Sequence, residues 1–436
     1  MSESHPSPAP ETDGPLAAVP EPGTAGSSRR FQLGLGDLPP QVAVLTAVAF
    51  SVALGFGILA PAIPLFAKHF HVSNFQASAV ISVFALLRFV SAPVAGRLVD
   101  RMGERVVMAS GIGIVGVSSL VAGFSGSYQQ LLVLRGAGGV GSAMFTVSST
   151  SLLLRVVKPE QRGRATGAYQ SGFLLGGITG PVFGGVLIAW SLRAPFFVYA
   201  ATLLMAGTVA TVYLARTDLR SRETTAGTTH APTPLRTALR SSAYRAALVN
   251  NFATGWSVNG VRAALVPLFV VAGLHLHAWW VGVGLFASTI VQGLVLIPVG
   301  RLVDVRGRRM FLRAGSVISL AAALVLAFGG HALEFMLAMA LYGAGSAMLA
   351  TSTAAIVGDV IGGRGGTAVA GYQMSSDAGT FLGPLVAGRL SDVFTFRVAF
   401  LATAGVSAVA VAATVAIPET GTGSKAPDTK RAAATG

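Results

Sequence analysis

The chain has 436 residues, of which 52% are hydrophobic and only 11% charged, well below the roughly 25% charged residues usual in soluble domains, so composition excludes a soluble globular architecture. Its formal charge of +14 raises the possibility of a nucleic-acid partner, which the placement of its 31 Lys and Arg residues excludes below. There is no cysteine, and therefore no disulfide framework, thiol catalysis or thiolate metal site.

Residues 1–40 begin with a stretch rich in Pro, Ser and acids that has no apolar core of a signal peptide, which predicts a disordered cytoplasmic tail. Twelve apolar runs follow, at 41–67, 77–96, 106–124, 129–154, 166–190, 195–215, 245–272, 278–299, 311–330, 334–357, 367–389 and 397–417. Each is long enough to cross about 30 Å of hydrocarbon as a helix that satisfies its own backbone. Twenty-four of the 31 basic residues lie in the tails and even-numbered turns, four lie in the odd-numbered turns, and Arg88, Arg135 and Arg262 lie inside apolar runs. This bias predicts a multi-pass protein of the plasma (inner) membrane with both termini cytoplasmic, whose partner is the lipid bilayer and not nucleic acid.

The chain repeats itself at an offset of about 204 residues: AGRLVDRMGERVVMASG from Ala95 pairs with VGRLVDVRGRRMFLRAG from Val299, GSAM at Gly141 recurs at Gly345, and Tyr169 and Gly180 have counterparts in Tyr372 and Gly383. The predicted fold is an all-α membrane protein of twelve transmembrane helices in two pseudo-symmetric six-helix bundles, 41–215 and 245–417, with a cytoplasmic linker at 216–244 and a cytoplasmic tail at 418–436. Parallel repeats of this kind place a substrate site near the midplane between the bundles.

In the first span, Pro61 and Pro64 open the backbone ladder of LGFGILAPAIPLFA; with Phe56 they are candidates for the substrate cavity, as are Asn251, Trp256 and Asn259 in the seventh span, where Asn250 also offers a polar group. After the second span, Gly96, Asp100, Arg101, Gly103 and Arg105 form a G-x-L-x-D-x-x-G-x-R turn, and Gly300, Asp304, Gly307 and Arg308 repeat it after the eighth. The glycines permit a tight turn, and the aspartate stands at the membrane edge. In the fifth span, Gly172, Gly176, Gly180 and Gly184 recur every four residues as one smooth stripe, with Pro181 and Gly185 beside it. His69/His71 and His275/His277 at the far ends of the first and seventh spans read as exposed loop histidines, and no metal site is predicted.

These motifs resemble the major facilitator superfamily along residues 41–417, and most closely its twelve-helix drug:proton antiporter branch. The resemblance implies that the two G-x-L-x-D turns are a conformational switch in which Asp100 meets the N-terminus of the eleventh helix, and that the glycine stripe is an antiporter motif packed on a helix of the other half. It implies that Arg135, in a variant R-x-x-Q-G pattern, assists proton coupling. It also implies export of a small amphipathic molecule in exchange for protons by alternating access, in a monomer that uses no cofactor beyond the proton gradient and is not an enzyme. A transporter of a defined metabolite such as a sugar or siderophore, or an uncoupled membrane sensor or lipid-handling protein, is the alternative. No G-x-x-x-x-G-K-[ST] loop occurs, so the chain has no such site for ATP.

A proton carrier needs a titratable group inside the membrane. Of the 17 acids, only Asp377 in YQMSSDAGTFLGP lies deep in an apolar run, about ten residues or roughly 15 Å into the eleventh span. Arg135 or Arg262 is its expected ion-pair partner, and Arg88 is a further intramembrane arginine without a specific motif. The first span has no acid, so the carboxylate that many proton-coupled exporters carry there is absent.

Overall fold

Two prolines frame the first span. Pro40 starts α1 (Pro40–Leu59), Ala60 and Pro61 interrupt it, and α2 (Ala62–Lys68) completes the crossing, as expected where a ring replaces a backbone N–H. The computed structural model describes residues 38–157, 161–215, 235–361, 366–415 and 417. The predicted N-terminal tail to residue 37, linker residues 216–234 and the C-terminal tail 418–436 lie outside the described residues.

The remaining helices of the first six spans are α3 (Asn74–Met102), α4 (Glu104–Ala122), α5 (Tyr128–Val156), α6 (Arg162–Trp190) and α7 (Ala194–Ala215). A short α8 (Leu235–Ala238) precedes α9 (Ser242–Thr254), which continues through the π-helical turns Gly255–Val261, α10 (Arg262–Leu268) and the π-helical turns Phe269–Gly273. Pro267 inside α10 lacks an N–H, and such wider turns relieve a broken ladder. The last spans are α11 (Trp279–Arg306), α12 (Arg308–Phe328), α13 (Ala332–Ile361), α14 (Gly366–Val393) and α15 (Phe396–Ala413).

Every predicted span is helical, and several helices overrun their apolar run because their caps are polar. Ser73 and Gln76 form a capping box at the start of α3, Ser73 Oγ accepting from the Gln76 N–H at 3.2 Å and Gln76 Oε1 from the Ser73 N–H at 3.1 Å. Ser241 caps α9, so the seventh span begins at Ser242, ahead of its predicted start. Among the described residues, eleven spans are long and apolar enough to cross a membrane. The remaining long helix, α14, is diluted by Tyr372, Gln373, Ser375, Ser376 and Asp377.

The sequence repeat is a structural one. Gly103 and Gly307 turn the chain between α3 and α4 and between α11 and α12 with φ of 82° and 97°, a region that favours glycine. His71 and His275, at the same spacing, both have φ of 55° where the first and seventh spans end, so these histidines mark chain turns. Tyr169 bonds Ser149 Oγ at 2.6 Å, and Tyr372 bonds Thr353 Oγ1 at 2.7 Å, tying α6 to α5 and α14 to α13 in the same way.

The turns after the second and eighth spans lie on one face of the molecule, here called the arginine-rich face; α3 starts at the opposite face. Between the first six spans and the last six, α3 packs on α14, α6 on α11, and α2 on α10. These contacts build the site.

Candidate functional site

α3 and α14 run antiparallel, and the positions of four residues define their register. At the opposite face, Asp392 Oδ1 and Oδ2 accept the backbone N–H groups of Asn74 and Phe75 at 2.8 and 2.7 Å. Fourteen residues along α3 and fifteen back along α14, each about four turns or roughly 21–22 Å, come Arg88 and Asp377. The Arg88 guanidinium donates to Asp377 Oδ1 in a direct ion pair. Both contacts therefore lie along one seam.

The partner of Asp377 corrects the expectation: it is Arg88, and neither Arg135 nor Arg262. Arg135, 1% exposed on α5, stacks its guanidinium 4.5 Å over the Phe84 ring, and its Nε and Nη1 have no hydrogen-bond partner among the described residues. Arg262 donates to Ser288 Oγ at 2.7 Å and to the Val258 carbonyl at 3.3 Å, which directs it toward α11. Phe84 lies one turn before Arg88 on α3, so the two arginines flank the same turn. Neither Phe84 nor Asp392 carries a sequence signal of its function: one reads as ordinary apolar filling, the other as a helix-end charge.

Of the predicted cavity residues, Phe56 and Asn259 are exposed. Phe56 lies 6.0 Å from Phe84 between ring centroids, and Asn259 Nδ2 reaches Ser376 Oγ, next to Asp377, at 3.5 Å. An exposed asparagine midway along a largely buried span marks a polar, accessible surface beside the ion pair. The other four are buried in this structure. Pro61 and Pro64 are buried at the end of the first span that lies toward the face opposite the arginine-rich one. Asn251 Nδ2 donates to the Tyr372 carbonyl at 2.6 Å, and Trp256, 7% exposed, points its indole N–H at Thr403 Oγ1, so both tie helices together. Asn250 does the same with the Ala410 carbonyl and Ser316.

The glycine stripe packs within its own half, contrary to the expectation. A Cβ on Gly172 would meet the Thr46 carbonyl oxygen at 2.4 Å, and one on Gly176 the Phe50 carbonyl oxygen at 2.3 Å, so the stripe lies against α1. Gly180 and Gly184 continue the contact at Leu54 and Ile58, with Pro181 buried beside them. Only Gly185 crosses over: it lies against Gly282 of α11, with backbone on backbone.

In the two signature turns, Asp100 and Arg101 are exposed, and Asp100 has no ion pair among the described residues. The expected partner of Asp100, the N-terminal end of the eleventh helix, adjoins residues 362–365, which lie outside the described residues. Positions Gly96 and Gly300 have nothing within 4 Å of a built Cβ. The Asp304 side chain lies outside the described residues. Instead, each half is stitched internally by an ion pair of inverted sign: Arg155 Nη1 donates to Glu104 Oε2 at 3.0 Å, and at the repeat-equivalent positions Arg308 pairs with Asp359. Ser151 supports Glu104, and the carbonyl of Ala355 supports Arg308 at 3.0 Å. The inversion is visible in the aligned repeats only once both partners are considered.

A sequence model of the Major Facilitator Superfamily matches residues 45–290 and 247–435. The chain is 28% identical over 180 residues to the "Multidrug resistance protein 2" of Bacillus subtilis, covering 41% of this chain and 45% of that protein, so it spans less than half the length of that relative. It is 22% identical over 355 residues to the "Quinolone resistance protein NorA" of Staphylococcus aureus, covering 81% of this chain and 90% of that protein. Its fold superposes with a TM-score of 0.69 and 14% identity on a bacterial homolog of the human lysosomal transporter Spinster, covering 86% of this chain and 95% of that one. With twelve helical spans, a duplicated signature turn and a family match over most of its length, the chain belongs to the Major Facilitator Superfamily, a family of multi-pass membrane transporters.

Proposed function

We propose that the protein is a secondary transporter that exports small amphipathic molecules in exchange for protons. The arginine-rich face is cytoplasmic in this reading. The observation that carries it is the cross-half ion pair of Arg88 with Asp377, the one deep acid of the sequence.

The pair supplies the logic of obligate exchange. While Asp377 is ionised and no substrate is bound, Arg88 holds the two halves together at mid-depth, and the empty carrier stays where it is. A proton on Asp377 removes one charge and frees the halves to move. A substrate that enters between Phe56, Asn259 and the pair loosens it in the same way. Either ligand permits the switch, the empty carrier does not, and proton flow is thereby tied to substrate flow. Family resemblance adds Arg135 as a second cation near the path. The exposed aromatic Phe56 of one half and the polar Asn259 and Ser376 of the other suit an amphipathic, partly aromatic substrate.

The test is proton-gradient-driven uptake of a fluorescent amphipathic dye into inverted membrane vesicles, whose outward surface is the cytoplasmic one. Flux that collapses on addition of a protonophore is the predicted result; flux that continues unchanged would replace antiport by an uncoupled carrier.

A further inference from the structure

The seam between α3 and α14 holds a second carboxylate that the exchange logic above does not use. Asp392 lies near the C-terminal end of α14, exposed, and its two oxygens each take one backbone N–H from the first turn of α3, at Asn74 and Phe75. These are the N–H groups that a helix leaves without internal partners, at the end where the helix dipole is positive. The capping box of Ser73 serves its own N–H and that of Gln76, so Asp392 supplies what the local sequence does not. One helical turn earlier, Gly388 brings the backbones together: a Cβ there would lie 3.0 Å from the Asn74 carbonyl oxygen and from Phe75 Cα.

The equivalent seam of the other repeat, α6 on α11, has no carboxylate at this level. Ile188 and Ala189 occupy the equivalent positions, and the contact is Gly185 against Gly282. One side of the opposite face is thus held by packing alone, the other by packing plus a charge on a helix terminus.

We propose that Asp392 is a positioning residue for the transport cycle, a latch that closes the face opposite the arginine-rich one by capping α3 from the other half. The proposal rests on the alternating-access reading but not on proton coupling. Opening that face pulls α14 from α3, strips the charge-assisted bonds from Asn74 and Phe75 and returns both to water, so the latch favours the closed arrangement and leaves the Arg88 pair as an independent lock at mid-depth. It is the converse of the expected Asp100 contact, with an aspartate of α14 on the N-terminus of α3 in place of an aspartate of α3 on the N-terminus of α14.

The absence of cysteine makes the test clean. Gln129 and Leu333, exposed in the first turns of α5 and α13 and equivalent in the repeat, are replaced by cysteine and spin-labelled, and the distance distribution is measured in nanodiscs. The wild-type background gives mainly the short distance. Asp392→Ala raises the long-distance population on the order of fivefold, the scale expected for losing a helix cap, and Asp392→Asn, which keeps one acceptor, gives a smaller rise. A distribution unchanged in both variants overturns the latch, as does a lowered melting temperature with unchanged distances, which is the signature of a merely local cap. Because the readout needs no substrate or proton gradient, failure of the exchange mechanism in vesicles leaves this result standing, and the reverse also holds.

Discussion

Arg88 on α3 and Asp377 on α14 form an ion pair that joins the first six spans to the last six, about four helical turns below the point where Asp392 caps α3. Arg88 is 37% exposed and Asp377 18%, so the pair is reachable by water and is weaker than a fully buried one, whose disruption costs about 3–5 kcal/mol. A contact of that middling strength suits a lock that each cycle must open.

If the pair holds the empty carrier still, removing its cation produces leak. Arg88→Ala in proteoliposomes is expected to dissipate an imposed pH gradient severalfold faster than the wild-type protein without substrate, measured with an internal pH dye. A leak rate equal to wild type would show that the pair does not restrain the empty carrier.

The glycine stripe makes a steric prediction with its own control. Gly176→Ala places a Cβ 2.3 Å from the Phe50 carbonyl oxygen and 2.7 Å from the Leu54 nitrogen, and backbone cannot step aside as a side chain does. Overpacking of this kind costs about 1–3 kcal/mol and is expected to lower the melting temperature by several degrees. Gly177→Ala, one residue along the same helix with nothing within 4 Å, is expected to melt like wild type or slightly higher.

The inverted ion pairs at the arginine-rich face predict rescue by exchange. Glu104→Arg sets two guanidinium groups against each other with Arg155, and Arg155→Glu sets two carboxylates together; each single variant is expected to lose about 1 kcal/mol of stability. The double variant reproduces the polarity that Arg308 and Asp359 already show and should recover most of the loss in a double-mutant cycle. Additive losses would mean that the pair contributes nothing.

Much of this architecture was legible in the sequence because the bilayer imposes it. Runs of apolar residues of spanning length leave helices as the economical solution, and the duplicated turn with Gly103 and Gly307 betrays the repeat. Asp377 stood out for the same reason, as a charge where charges are costly. Its partner did not, because three arginines lie at comparable depth and which one meets it depends on how each helix is rotated. Asn251 and Trp256 misled for a related reason: a polar group in a membrane helix signals a hydrogen bond, not whether its partner is a ligand or the next helix. Asp392 sits where helix-end charges are ordinary, and only the packing of α14 on α3 gives it a partner.

Exchange of proton for substrate requires that protonation of Asp377 tie the two fluxes together. Purified Asp377→Asn, reconstituted in proteoliposomes beside wild type, should lose substrate accumulation driven by a pH gradient while still exchanging labelled for unlabelled substrate at equilibrium, since residue 377 can no longer take up or release a proton but the path is intact. Gradient-driven accumulation retained at the wild-type level by Asp377→Asn would contradict it.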